Sequence, residues 1–367
     1  MKYKNYKLEE LATIKYGKNQ KKVISDNGHI PIYGTGGLMG YATEALYDKP
    51  SVLIGRKGTI EKVRYVTHPF WTVDTLFYTI IQDNIVLPHY LYYLMSLLDL
   101  KKFNEGTTIP SLRTETLNRI EFNVPELEYQ SKVLSILEPI EEKIDTNNLI
   151  NKNLEEQAKT VFEKEFLASD HVPAGWTRGS LVDIADYLNG LAMQKYRPAA
   201  GEQGLPVLKI KELRQGSCDS NSELCSSSIK KDYIIHDGDV IFSWSGSLLV
   251  DFWCGGTCGL NQHLFKITSK KYDKWFYYAW TNSYLQKFAA IAADMATTMG
   301  HIKREELAKA EVLIPNNCDY ERIGNLLSPI YALIISNRIE NRRLASLRDG
   351  LLPQLMAGTL DVTDIEL

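Results

Sequence analysis

The chain has 367 residues, 42 Lys plus Arg against 45 Asp plus Glu, a formal charge of −3 and an apolar fraction of 44%. That length holds roughly two to three ordinary domains, and the composition is neither disordered nor fibrous. No run of 18 or more apolar residues occurs, and the opening Met1-Lys2-Tyr3-Lys4-Asn5-Tyr6-Lys7 lacks an apolar core. A transmembrane helix and a secretory signal are therefore not expected, and the reading is a cytoplasmic protein without a membrane partner.

In chain order, the first distinctive feature is the run Tyr33-Gly34-Thr35-Gly36-Gly37-Leu38-Met39-Gly40. A dinucleotide fingerprint needs G-x-G-x-x-G opening a helix, and here the sixth position holds Met39 with Gly40 one residue late. The cluster therefore reads as a tight loop that lets backbones approach closely. Residues 52–55, 63–66 and 75–81 have strand composition, with turns at Arg56-Lys57-Gly58 and His68-Pro69. An aromatic helix is expected over 90–98. From Leu137, apolar or small residues recur at Ile140, Ile144, Asn147, Asn151, Leu154, Ala158 and Val161, the three-four spacing of a coiled-coil seam. Pro139, and Pro329 in the second half, should each mark a helix break or a first turn. From Pro139 to Phe166 the helix would then span about 42 Å at ~1.5 Å per residue. In the second half, strands are expected at 240–242 and 264–267 and an aromatic helix over 275–288. A second seam follows through Leu327, Ile330, Ile334, Asn337, Asn341, Leu344, Arg348 and Leu351.

These halves repeat one another. Leu8-Glu9-Glu10-Leu11-Ala12 with Gly17 matches Leu181-Val182-Asp183-Ile184-Ala185 with Gly190, and Val52-Leu53-Ile54 matches Val240-Ile241-Phe242. From Thr107-Thr108, matched to Thr297-Thr298, the offset stays constant through Pro125 and Pro315, Pro139 and Pro329, and Leu154 and Leu344. A wandering offset belongs to loops, whereas a locked one belongs to a rigid element. The expected fold is α+β: two globular domains separated by two long helices that pair as an antiparallel coiled coil, a pseudo-twofold internal repeat. The expected boundaries are 1–126 and 168–315 for the globular domains, 127–167 and 316–356 for the helices, and 357–367 for a tail. Seam asparagines at 147, 151, 337 and 341 sacrifice apolar burial but resist sliding, because a shifted amide loses its partner.

Charge follows the same division. Residues 1–110 carry 14 basic and 10 acidic side chains, and residues 111–167 carry 7 and 12. The excess acid lies in helix, and the globular part can approach a polyanion. Chemistry of other kinds is missing. There is no phosphate loop, no Asn- or Asp-Pro-Pro-aromatic methyltransferase loop and no paired acid/base constellation, so no enzyme is expected. The five cysteines, an odd number, suit free thiols, and Cys254, Cys258 and His263 lack a fourth metal ligand at compatible spacing. What remains is basic, hydroxyl and amide chemistry in the loops. Arg56-Lys57-Gly58-Thr59 at a hairpin tip offers two cations and a hydroxyl; Lys209, Lys211 and Ser243-Trp244-Ser245 offer a comparable set. Asn261-Gln262-His263 adds amides able to read adenine.

The runs Ile30-Pro31-Ile32-Tyr33-Gly34-Thr35-Gly36-Gly37-Leu38-Met39-Gly40-Tyr41, Val52-Leu53-Ile54-Gly55-Arg56-Lys57-Gly58-Thr59-Ile60 and Pro69-Phe70-Trp71 resemble a target recognition domain. The helix from Leu134 through Asn147 and Asn151 to Glu155 resembles a spacer helix, and the whole chain resembles the DNA specificity subunit of type I restriction-modification systems. In the second copy Ser243-Trp244-Ser245-Gly246 stands where the first has Gly55-Arg56-Lys57-Gly58. The resemblance implies a non-catalytic subunit that binds a split, asymmetric sequence in double-stranded DNA. It also implies methyltransferase subunits carrying S-adenosylmethionine, docked on the helices, and a restriction subunit, with no cofactor in this chain. The candidate DNA contacts are Tyr33, Thr35, Gly36, Arg56, Lys57, Thr59 and Thr72 in the first copy. In the second they are Lys209, Lys211, Ser243, Trp244, Ser245, Asn261, Gln262 and His263. The competing readings are a stand-alone DNA-modifying enzyme with a pocket at 34–40, and a coiled-coil scaffold that binds protein. Exposed helices could also pair two copies of the chain.

Overall fold

A computed structural model describes residues 3–168, 171–294, 302 and 304–362. Thr297 and Thr298 lie outside the described residues. The chain forms two compact units, Met1–Glu141 with Ser346–Leu367, and Glu142–Ala345. Both divisions fall inside long helices.

The first unit contains β1 (Tyr3–Lys7), α1 (Leu8–Leu11), β2 (Ala12–Tyr16), β3 (Ile30–Gly34), β4 (Gly37–Ala42), β5 (Ser51–Gly55) and β6 (Val63–Val66). It continues with β7 (Trp71–Thr72), β8 (Leu76–Ile81), α2 (Pro88–Ser96), α3 (Thr114–Asn118) and β9 (Glu121–Pro125), then enters α4 (Leu127–Phe162). Its main sheet is antiparallel in the order β2-β8-β5-β6, and a second sheet, β4-β3-β7, joins β3 to β7 in parallel. The strand β1 closes on β9. Strand β5 is buried along its whole length, which matches its unbroken Val-Leu-Ile run. Leu8, Leu11, Ile54, Phe77, Tyr90 and Leu91 form the core with Val133 and Leu137 of α4 and with Leu355 near the C-terminus. Each such side chain contributes about 1.5–3 kcal/mol by leaving water.

The second unit repeats the plan. It holds β10 (Thr177–Ser180), α5 (Leu181–Ile184), β11 (Asp186–Asn189), β12 (Leu205–Leu208), α6 (Ile210–Gln215), β13 (Leu224–Cys225), β14 (Ile234–Ile235) and β15 (Val240–Ser243). Then come β16 (Leu249–Phe252), β17 (Cys258–Leu260), β18 (Leu264–Thr268), α7 (Lys274–Ser283), α8 (Leu285–Asp294), α9 (Arg304–Lys309), β19 (Glu311–Ile314) and α10 (Asn317–Met356). The sheet β11-β18-β15-β16 has the topology of β2-β8-β5-β6, and β12 pairs with β17 in parallel as β3 does with β7. Register agrees as well: Ile54 faces Phe77 and Gly55 faces Leu76, while Phe242 faces Phe265 and Ser243 faces Leu264.

The seams face inward. Leu137, Asn147, Asn151, Ala158, Leu327, Ile334 and Asn337 are buried, and Ile140, Ile144, Leu154, Ile330, Asn341 and Leu344 are half-buried. In the first unit Tyr129 donates to the Leu355 carbonyl at 3.3 Å, and Glu141 pairs with Arg348 at 3.7 Å. In the second, Asn147 bonds Asn341 and Asn151 bonds Asn337. Residue numbers fall on α10 as they rise on α4, so the helices are antiparallel.

Two expectations need correction. Pro139 and Pro329 neither break nor begin their helices; both lie inside continuous ones of 36 and 40 residues. An interior proline loses one hydrogen bond and crowds the carbonyl four residues back, about 3 kcal/mol. Packing at Val133, Leu134 and Leu137 beside Pro139 offsets that cost. The helix therefore begins at Leu127, earlier than the Pro139 start that set the 42 Å span. The aromatic segment 275–288 is also two helices, α7 and α8, separated at Tyr284. There the Tyr284 N–H tightens onto the Thr281 carbonyl, and the Tyr284 hydroxyl donates to the Glu311 carbonyl at 2.6 Å.

Candidate nucleic-acid interface

In the first unit the glycine-rich run is a hairpin, β3 and β4 joined by the two-residue turn Thr35-Gly36. Gly36 is exposed and Thr35 half-buried. Gly37 has φ +122°, a conformation that glycine adopts without a Cβ clash, and an added Cβ there would lie 3.4 Å from the Arg64 guanidinium. Arg64 stands 5.2 Å over the ring of Tyr33, whose hydroxyl lies 3.2 Å from His68 Nε2. Burial pushes the Tyr33 hydroxyl pKa up, and Arg64 opposes that shift. Sequence reasoning passed over both Arg64 and His68.

The tip after β5 is occupied differently from the expectation. Arg56 does not project freely: it donates to the Asp74 carbonyl at 2.8 Å and lies 5.0 Å over the ring of Tyr16. Lys57 is exposed and Thr59 half-buried. Thr72 is fully buried in β7, and its Oγ1 has no hydrogen-bond partner among the described residues. Trp71, Thr72 and Val73 are all buried, so Thr72 offers no surface contact.

In the second unit, Lys209, Lys211, Asn261, Gln262 and His263 converge on one open cleft of about 550 Å³, together with Gln194, Arg197 and Glu223. The lysines are not free cations. Lys209 pairs with Glu223, which also holds Arg197 at 3.0 Å, and Lys211 pairs with Asp219 at 3.2 Å. Asn261 is 7% exposed, and its Oδ1 accepts the His263 N–H at 3.3 Å, closing the turn before β18. Gln262 Nε2 lies 3.3 Å from His263 Nε2, and Ser245 Oγ lies 3.2 Å from Nδ1. If the amide donates, Nε2 accepts and Nδ1 carries the proton toward Ser245, a neutral tautomer. Ser243 and Ser245 are corrected like Thr72. Ser243 is fully buried, donating to the Ser247 carbonyl at 2.9 Å, and Ser245 is 4% exposed. The Ser243 hydroxyl is spent on shaping the turn, and that of Ser245 faces His263.

Trp244 lines a separate open cavity of about 860 Å³ with Asn189, Phe265, Ile302 and Arg304. Its indole N–H donates to Asn189 Oδ1 at 3.0 Å. The strand registers make Trp244 the counterpart of Arg56, and Asn189 the counterpart of Tyr16. One structural pair is thus cation on phenol in the first unit and indole on amide in the second. The signal was present in the sequence, since Tyr16 and Asn189 immediately precede the matched Gly17 and Gly190.

Cys254, Cys258 and His263, which lack a fourth ligand in the sequence, each have other neighbours. Cys254 lies against the Ile335 carbonyl, Cys258 packs with Cys218, and His263 faces Ser245. Among the described residues no group of three or more His, Cys, Asp or Glu is placed to hold a metal, and no helix is long and apolar enough to cross a membrane.

A family profile described as "Type I restriction modification DNA specificity domain" matches residues 1–156 and again 173–347. The chain is 25% identical over 346 residues to the type I restriction enzyme MjaIX specificity subunit of Methanocaldococcus jannaschii, covering 87% of this chain and 80% of that one. It is 21% identical to the HindI specificity subunit of Haemophilus influenzae, covering 79% and 81%. In fold it is similar to the crystal structure of a type I restriction-modification S subunit from M. genitalium, with TM-score 0.66, 13% identity and coverage of 97% and 96%.

Proposed function

Because this chain belongs to the type I restriction-modification DNA specificity family and is a specificity subunit, we propose that it reads a split, asymmetric sequence in double-stranded DNA, one half-site per unit. The observation that carries this reading is the pair of matched positions just described. One scaffold is built twice, and equivalent positions hold Arg56 with Tyr16 in one copy and Trp244 with Asn189 in the other. Equivalent frames with different donors and acceptors suit two different half-sites, because base edges are told apart by donor and acceptor pattern.

The chain carries no reaction in this proposal and works in the cytoplasm. Methyltransferase subunits bring S-adenosylmethionine and dock on the helices, and a restriction subunit completes the complex. Leu149, 71% exposed on α4, and Leu333, 46% exposed on α10, are apolar side chains suited to such docking. Without those partners, a second copy of the chain would pair through the same side chains.

The test is sequence selection from random DNA with the chain co-expressed with its methyltransferase. A two-part motif with a fixed gap is expected. A single contiguous motif would mean that one unit alone reads DNA. No enrichment with the partner present would favour the protein-scaffold reading.

A further inference from the structure

Glu223 stands out in the cleft that the proposed reading turns toward DNA. The cleft is otherwise lined by cations, amides, the His263 imidazole and apolar side chains, and among the described residues Glu223 is its one carboxylate. A carboxylate on such a face repels the DNA backbone and weakens binding to every sequence. It sits at the cleft with its side chain 42% exposed, Oε1 on Lys209 and Oε2 on Arg197. Lys209 beside it holds its carboxyl below the usual carboxylate range, so it stays ionised at neutral pH.

An ionised carboxylate accepts hydrogen bonds and cannot donate them; its two oxygens offer about four lone-pair sites. Two are used by Lys209 and Arg197, which leaves acceptor capacity on both oxygens. In the major groove, cytosine and adenine present an exocyclic amino donor where guanine and thymine present a carbonyl oxygen. A fixed carboxylate accepts from the first class and repels the second, which gives discrimination through both attraction and exclusion. The flanking Lys209 and Arg197 offset part of its repulsion from phosphate.

We propose that Glu223 is a specificity-determining residue of the second unit, accepting a hydrogen bond from the exocyclic amino group of a cytosine or adenine in its half-site. The proposal rests on the reading of this unit as a DNA-recognition unit.

The experiment compares the assembled complex carrying the wild-type chain, Glu223→Gln, Arg197→Gln and Lys209→Gln in random-sequence selection and in titrations of cognate and unrelated duplexes. The amide of Glu223→Gln both donates and accepts, so it no longer separates amino from carbonyl. In that variant the cytosine-or-adenine preference at one position of one half-site should fall by about tenfold. Affinity for unrelated DNA should rise, and the other half-site should not change. Arg197→Gln and Lys209→Gln should weaken binding to all sequences while keeping the base preference. An unchanged preference in Glu223→Gln overturns the proposal. So does the same loss of preference in Lys209→Gln or Arg197→Gln, which would mark Glu223 as a clamp. Absence of any two-part preference in the wild-type complex would instead overturn the DNA reading on which the proposal stands.

Discussion

Asn147 donates its side-chain amide to Asn341 at 2.8 Å, and exchanging the repeats converts that bond into the one from Asn337 to Asn151, at 2.9 Å. In both bonds the first asparagine of one helix donates to the second asparagine of the other. The donor direction is therefore pseudo-twofold as well as the positions. Asn147 also donates to Glu340 at 2.7 Å, and Asn341 to Asn148 at 2.9 Å. A slide of either helix by one turn would leave buried amides without partners.

Asn147→Ala should destabilise the Glu142–Ala345 unit by about 1–3 kcal/mol, because Asn341 loses its donor in a largely buried seam. Replacing Asn147 and Asn341 together with Leu should recover most of that loss, since no polar group is then stranded. Denaturant unfolding of the three chains checks both statements; a double variant less stable than Asn147→Ala would contradict them.

His89 is clamped within the first unit. Its Nδ1 lies 2.9 Å from Glu138 and its Nε2 3.1 Å from Glu141, with the ring stacked between Tyr65 at 4.5 Å and Tyr93 at 4.6 Å. Burial pulls its pKa down, but the two carboxylates outweigh that and raise it above the ordinary 6.5. A raised folded pKa gives stability that is complete below the unfolded value and is lost as pH rises through the folded one. Stability of this unit should therefore fall as pH rises from 6.5, and His89→Gln should remove that slope. Unfolding midpoints across the alkaline side of neutrality test the sign.

Gly17 and Gly190 should be intolerant for one shared reason. A Cβ at Gly17 would lie 2.0 Å from the Val73 carbonyl oxygen, and one at Gly190 2.2 Å from that of Asn261. Both obstacles are backbone atoms at equivalent places, so neither can swing aside. Either alanine variant should cost at least about 1–3 kcal/mol, read as a lowered melting temperature. Gly36→Ala, where a Cβ meets nothing within 4 Å, serves as the tolerant control.

Arg56→Ala and Trp244→Ala should act on opposite halves of the recognised sequence. Each removes one member of a matched pair, so each should relax preference in its own half-site and spare the other. Relaxation should amount to about 1–3 kcal/mol per base position affected. Parallel selections on the two variants decide the matter, and equal damage to both half-sites would refute one unit per half-site.

The repeat, the helical seams and the asparagines in them were legible because each is periodic. A locked offset and a three-four spacing survive translation into a helix, whose side-chain directions follow from residue number alone. The strands around Ile54 and Phe242 were legible as short unbroken apolar runs, the mark of strands buried on both faces. Proline placement was not, because local preference marked Pro139 as a boundary, while packing on both sides of it carried the helix through.

The candidate interface divides along a similar line. Composition and motif named Arg56, Lys209, Trp244 and His263, and their residue types still define what chemistry each unit can present. Whether a side chain is available depends on what folds against it. Thr72 and Ser243 withdraw into the core, Arg56 is taken by Asp74 and Tyr16, and Glu223 enters the cleft between Lys209 and Arg197. Sequence by itself determined the family, the twofold plan and the chemical vocabulary, since these live in patterns along the chain. Tertiary structure alone decided which groups are paired, buried or free to meet a base. Those properties depend on contacts between residues remote in sequence, which no local pattern records.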